Sequence, residues 1–295
     1  MDMTAITAKL DAFAELLTRH CDRDTSADPD GWTAENPLWG HCAVVSLAAQ
    51  DRFGGELLRA SLEKFPKWAK MRSHYWNRFP PAIVRDLTEP QFGGDPPQGL
   101  VAEERTRAHV LSSAPTMARY QTLSWRIAQA ENAGNALFEN ELYRGCYKAA
   151  MASPCQKMRF GCVLTRRGQV IAETCNGTIE PLKHRCEPTC IRLGIQSRTE
   201  SMLGACGHAE EFALWEAAKQ GVPIDECDLY VAGVHMNGRP WLKARAEHTC
   251  LRCANQMHNA GILRVFVPVG DRWESVTTAQ ALAQADAYAN KEKSV

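Results

Sequence analysis

The stretch GHAEEFALWEAAKQG, residues 207–221, decides the reading of the chain. Phe212, Leu214, Trp215 and Ala218 recur at helical spacing and Gly221 stands where a C-cap belongs, so a helix opens just after His208 and carries Glu210 in its first turn. That spacing assigns Trp215 to the core. Working towards the N-terminus, FGCVLTRRGQVIAETCNG (160–177) places two apolar runs around the turn Arg166-Arg167-Gly168, a hairpin signal, and ELYRGCYKAAMA before it predicts a helix over 139–151. Towards the C-terminus come the strand DLYVAGVH (228–235), a helix from about Cys250, the strand ILRVFVPV (262–269), and SVTTAQALAQADAYANK (275–291) as a last helix. Strand-helix-strand units close as parallel pairs, so this order implies helices layered on a mixed sheet.

The 295 residues carry 34 basic and 34 acidic side chains and are 45% hydrophobic, the composition of ordinary globular domains. A chain of this length predicts two domains. The segment AENAGNALFE (130–139) reads as a joint, dividing an α+β domain over 1–138 from a second domain over 139–295. A net charge of zero gives no bulk attraction for a phosphate backbone or an anionic membrane. MDMTAITAKLDAFAELL has the acidic residues of an amphipathic helix rather than the flank of a signal peptide, and no apolar run is long enough to span a bilayer, so a cytoplasmic protein is expected. In that compartment the twelve cysteines read as free or metal-bound thiols. All but Cys21 and Cys42 lie beyond residue 140.

His208-Ala209-Glu210 and Cys250-Leu251-Arg252-Cys253 each stand at the start of a predicted helix. Cysteines at i and i+3 on one turn can turn both sulfurs towards one metal, and the positive end of the helix favours thiolate. His208 adds a third ligand, and three ligands with an open fourth position make a catalytic rather than a structural zinc site. The plain alternative is a pair of buried thiols and a capping histidine.

The pair H-x-E and C-x-x-C resembles the signature of the cytidine and deoxycytidylate deaminase superfamily, over roughly residues 139–290. The resemblance implies a three-layer α/β/α domain in which His208, Cys250 and Cys253 hold the catalytic zinc and Glu210 shuttles protons. Zinc-activated hydroxide would attack an amidine carbon and release ammonia, from a small nucleobase, nucleoside or nucleotide of cytosine type, in a homo-oligomer. Thr249 stands where that family usually has Pro, and can cap the helix. A similar G-x-N-G in the deoxycytidylate branch makes Asn176 a substrate-binding candidate, against the alternative of a simple Asn-Gly turn.

The segment KHRCEPTCIRLGIQSRTESMLGACGH (183–208) is too poor in apolar residues to pack a core of its own. A second, structural zinc on Cys186, Cys190, Cys206 and either His184 or Cys175 would order it, as in related insertions; a loop of reduced thiols is the alternative. Arg185, Arg192 and Arg198 suit a phosphate, and Trp241 a stacked base, although such arginines are usually solvated.

In the first domain Cys42 opens the apolar helix in PLWGHCAVVSLAAQDRF, His74 lies in SHYWN and Asp86 in VRDLT. The order Cys, His, Asp is that of transglutaminase-like and some papain-like thiol enzymes. The same stretches, W-G-x-C, H-Y-W-N and D-L-T, resemble YunG-like proteins. A buried core thiol with a hydrogen-bonded histidine and a capping aspartate is the structural alternative. Three readings therefore compete with a small-molecule deaminase: action on a base within RNA or single-stranded DNA, a zinc-stabilised binding module, and a thiol amide hydrolase or transferase centred on Cys42 with an accessory zinc domain.

Overall fold

The computed structural model describes residues 3–195, 204–242 and 249–292. The chain forms two compact units, Met1–Glu131 and Asn132–Val295. The division falls a few residues before 138 because Leu137 and Phe138 are already core residues of the second unit, with Phe138 edge-on to Tyr143 at 5.2 Å. No helix among the described residues is long and apolar enough to cross a membrane.

The first unit contains α1 (Met3–His20), α2 (Cys42–Phe53), β1 (Glu56–Ser61), β2 (Ser73–Phe79), β3 (Ile83–Arg85), β4 (Glu103–Arg105), α3 (Arg107–Leu111) and α4 (Ala114–Glu131). Its sheet runs β3-β2-β1-β4, antiparallel throughout. Buried Asn77 of β2 donates to Ser46 O of α2 at 3.0 Å, which fixes that strand against the helix that begins at Cys42.

In the second unit follow α5 (Glu141–Ala152), β5 (Arg159–Arg166), β6 (Gln169–Cys175), β7 (Gly177–Thr178), β8 (Cys206–Gly207), α6 (Ala209–Lys219), β9 (Cys227–Val234), β10 (Pro240–Trp241), α7 (Leu251–Asn259), β11 (Arg264–Val269), β12 (Arg272–Thr277) and α8 (Thr278–Glu292). The main sheet has the order β12-β11-β9-β5-β6; β9 and β11 are parallel and the other neighbours antiparallel. It is a mixed sheet between helical layers. Alternation along β5 sorts the two faces: Val163 lies against Gly145 of α5, whereas Cys162 and Leu164 join Ala209, Ala213 and Met257 of α6 and α7 in one apolar cluster. Ala254 of α7 meets Ala281 and Ala285 of α8 on that same side.

The β5-β6 turn uses Arg167 and Gly168 at φ 51° and 79°, the two left-handed positions of a tight hairpin. Residues 275–277, expected to start the last helix, belong instead to β12. A Gly270-Asp271 hairpin turn, with Gly270 at φ 59°, returns the chain onto β11 before α8 begins. Trp215 also departs from expectation, being 43% exposed with its ring edge-on to Phe212.

Gly161 is required by close approach, since a Cβ there would lie 1.9 Å from Cys146 O and 2.5 Å from Ala150 N of α5. Backbone cannot yield as a flexible side chain would. Gly161→Ala should therefore cost about 1–3 kcal/mol, the usual scale of overpacking, read as a lower urea midpoint. An unchanged midpoint would show that α5 is free to shift.

Candidate functional site

The crossover from β9 through α7 into parallel β11 brings the start of α7 to the start of α6. His208 is the N-cap of α6 and Cys250 the N-cap of α7. His208 Nδ1 lies 3.3 Å from Cys250 Sγ and 3.2 Å from Cys253 Sγ. The three ligand atoms all fall within 4.8 Å of one another, the one such group of three or more among the described residues. An imidazole nitrogen and two sulfurs without a fourth protein donor in the group fit zinc with an open position.

The cap of α7 is the Cys250 sulfur, which accepts from Cys253 N at 3.4 Å. This corrects the expectation for Thr249, whose buried Oγ1 has no hydrogen-bond partner. Hydrogen bonding from Cys253 holds the Cys250 thiol down at about 4 against the effect of burial, and His208 adds to it by hydrogen bond and charge. Burial acts to lower the His208 imidazole, but its bond to Cys250 and the charges of Glu210 and Cys250 raise it overall. Glu210 is 8% exposed, and burial raises its carboxyl above the ordinary carboxylate value.

Glu211, which the sequence reading passed over, ties the two helices together. Its carboxylate accepts from His208 N (2.8 Å), Arg252 Nη2 (2.7 Å) and Gln256 Nε2 (2.9 Å). The signal was present as the fourth residue of H-A-E-E, the N3 position of a capping box.

Asn176 follows β6 with its amide already engaged. Oδ1 accepts from Ser153 Oγ (2.8 Å) and Phe160 N (2.7 Å), and Nδ2 donates to Met158 O (3.0 Å). One amide N–H is left for another partner. Thr174 Oγ1 donates to Ala209 O (2.7 Å), fixing the end of β6 to the start of α6.

Within the insertion, β7 pairs with β8 and Cys186 Sγ lies 4.0 Å from Cys190 Sγ and 3.7 Å from Cys206 Sγ. His184 is exposed. Cys175 lies on β6, where burial lifts its thiol to about 11. Cys155, absent from the expected set, acts electrostatically on Cys206. The next residue, Gln156, donates to Cys186 O (2.8 Å) and accepts from Cys190 N (3.0 Å). Arg185 is exposed, Arg192 influences Cys206, and Arg198 lies outside the described residues. Trp241 packs edge-on against Phe160 at 5.6 Å.

The first unit assembles the other candidate set. His74 Nε2 is 2.6 Å from Asp86 Oδ2, and the Cys42 thiol acts electrostatically on the same imidazole. Burial alone would lower His74, but the bonds and charges of Asp86 and Cys42 push it up to about 10.

Comparison with known proteins follows the same division. Residues 138–269 match the cytidine and deoxycytidylate deaminase zinc-binding region. Residues 9–132 match the YunG protein family. A deoxycytidylate deaminase of Schizosaccharomyces pombe is 42% identical over 133 residues, 41% of this chain and 41% of that protein. The uncharacterized protein YunG of Bacillus subtilis is 34% identical over 61 residues, 21% of this chain and 46% of that protein. A dCMP deaminase from the cyanophage S-TIM5, solved in apo form, aligns at 20% identity and a TM-score of 0.29, over 46% of this chain and 82% of that one. These two curated relatives are thus each matched over less than half of their own length.

Because the Glu211 carboxylate fixes both ligand-bearing turns, Glu211→Ala should weaken zinc binding about 10–100-fold, the usual effect of losing a carboxylate that orients metal ligands. Competition with a chromogenic chelator reads this directly. Unaltered affinity would show that the two helix starts hold their places without the clamp.

Proposed function

We propose that the second unit is a zinc-dependent hydrolytic deaminase of a free cytosine-type base, nucleoside or nucleotide. The observation that carries the reading is the open nitrogen-and-two-sulfur donor set with a buried carboxyl two residues after its histidine. The name of the fission-yeast relative supports a deoxycytidylate-type nucleotide as substrate. His208, Cys250 and Cys253 would hold the metal. Zinc supplies a water-derived nucleophile near neutral pH when bound there.

The remaining chemistry falls to the chain's own residues. Glu210 takes the proton released by water and delivers it to the ring nitrogen next to the reacting carbon; it then takes the second proton from the hydroxyl just added to that carbon, which becomes the carbonyl, and passes it to the amine that leaves as ammonia. Its burial suits that cycle, because a carboxyl whose proton affinity is raised by burial can both accept and return a proton. Asn176 has one amide N–H to offer the substrate, and homo-oligomeric assembly belongs to the same proposal.

Glu210→Gln should keep zinc and lose about 10²–10⁴-fold in kcat, the range of a general acid-base group, in an ammonia-release assay with cytidine, deoxycytidine and dCMP. Full turnover in that variant would remove Glu210 from the reaction. His208→Ala should lose both metal and turnover.

A second, structural zinc is part of this reading, held by Cys186, Cys190 and Cys206, with Cys155 in place of exposed His184 as the fourth ligand. The short sulfur separations around Cys186 and the Gln156 clip beside Cys155 support it. Metal analysis should find about two zinc ions per chain and about one in Cys186→Ser, since four ligands close a structural site. Equal zinc in the two proteins would rule the second ion out.

A further inference from the structure

The first unit holds a constellation that deamination does not use. Cys42 is the first residue of the twelve-residue helix α2, where free backbone N–H groups favour a thiolate. His74, 1% exposed, stands on β2 close enough to the Cys42 thiol to interact with it electrostatically; its Nε2 lies 2.6 Å from Asp86 Oδ2 just beyond β3. The other carboxylate oxygen of Asp86 accepts from Thr88 N and Thr88 Oγ1, both at 2.8 Å, so the carboxylate is fixed in turn. Trp76 stacks on the imidazole at 5.6 Å and Phe92 meets it edge-on at 4.9 Å. The histidine therefore has one nitrogen held by a carboxylate and its ring fixed by aromatic neighbours, the arrangement a general base requires.

Two polar groups around this set are left open. Gln91 Nε2 lies 3.4 Å from His74 Nδ1, while buried Gln91 Oε1 has no partner. Whichever way that amide is turned, one of its groups stays unpaired. Arg119 of α4 acts electrostatically on Cys42; its buried Nε has no hydrogen-bond partner, and its Nη2 donates to Thr116 Oγ1 at 3.2 Å. A carboxamide carries both a carbonyl acceptor and an N–H donor, so it satisfies Gln91 in either orientation and offers its oxygen to Arg119. An ester lacks the donor.

We propose that Cys42, His74 and Asp86 form a second, metal-independent active centre that cleaves carboxamides through an S-acyl intermediate. The Cys42 sulfur attacks the carbonyl carbon, forming the C–S bond, and the C–N bond breaks as the His74 imidazolium protonates the departing amine. Water then adds to the thioester carbon and gives its proton to His74. The C–S bond breaks, releasing the carboxylic acid and restoring the thiolate and imidazolium. Asp86 is a positioning residue acting through His74.

The test uses the zinc-loaded full chain and reads the Cys42 peptide by mass spectrometry, so that the other cysteines do not interfere. At about pH 6, where an ordinary thiol of pKa about 8.5 is almost wholly protonated, iodoacetamide should alkylate Cys42 roughly tenfold or more faster than in His74→Asn. Arg119→Gln, a change on a half-buried helix position, should slow it as well. With p-nitrophenyl acetate as acyl donor, a burst of about one nitrophenolate per chain should appear, with the acetyl group on Cys42, and be absent from Cys42→Ser. Alkylation no faster than in His74→Asn, or a burst that survives Cys42→Ser, would overturn the proposal. So would fast alkylation without acetylation of Cys42.

Discussion

The meeting of two helix starts is the constraint on which the second unit depends. Metal-binding side chains converge only if the first turns of α6 and α7 are held a few ångströms apart, and the Glu211 carboxylate does this through His208 N, Arg252 and Gln256. The parallel pair of β9 and β11 with α7 between them sets the direction of approach. The alanine face of α6, Ala209, Ala213 and Ala217, lets that helix lie close on the sheet. Tight packing and a chemically open ligand position thus arise from the same few residues.

The two thiol clusters differ in the charges that surround their sulfurs. At the candidate metal centre Cys250 and Cys253 crowd one imidazole and a buried glutamate, and the bond to Cys250, burial and the charge of Glu210 lift Cys253 well above its ordinary range. A divalent cation relieves that repulsion, because metal binding selects the deprotonated ligand. In the first unit the counter-charge comes from side chains: Asp86 bonds the His74 imidazole and, with Cys42, raises its affinity for a proton against the effect of burial. One arrangement calls for a metal, and the other supplies its own proton donor.

Much of this was legible in the sequence because its signals are local. Helical spacing after His208, the Arg167-Gly168 turn and the C-x-x-C step each lie within a few residues, and the family matches to residues 9–132 and 138–269 fall on the two stretches whose motifs suggested them. What escaped was non-local or ambiguous. Thr277 and Thr278 divide a strand from a helix in a run that reads as helical, because the deciding partner, β11, is set by the Gly270-Asp271 turn. Trp215 satisfies a core spacing and yet is exposed, since alanines and Leu214 fill the buried stripe of α6. Cys155 is separated in sequence from the insertion cysteines, and its neighbour Gln156 reaches them only in the fold.

Crystals of the zinc-loaded chain, measured at the zinc absorption edge, test the central claim most directly. The account predicts an anomalous peak bonded to His208 Nδ1, Cys250 Sγ and Cys253 Sγ, with its remaining position facing Glu210 and filled by solvent. No peak there, or a fourth protein atom in that position, would contradict it.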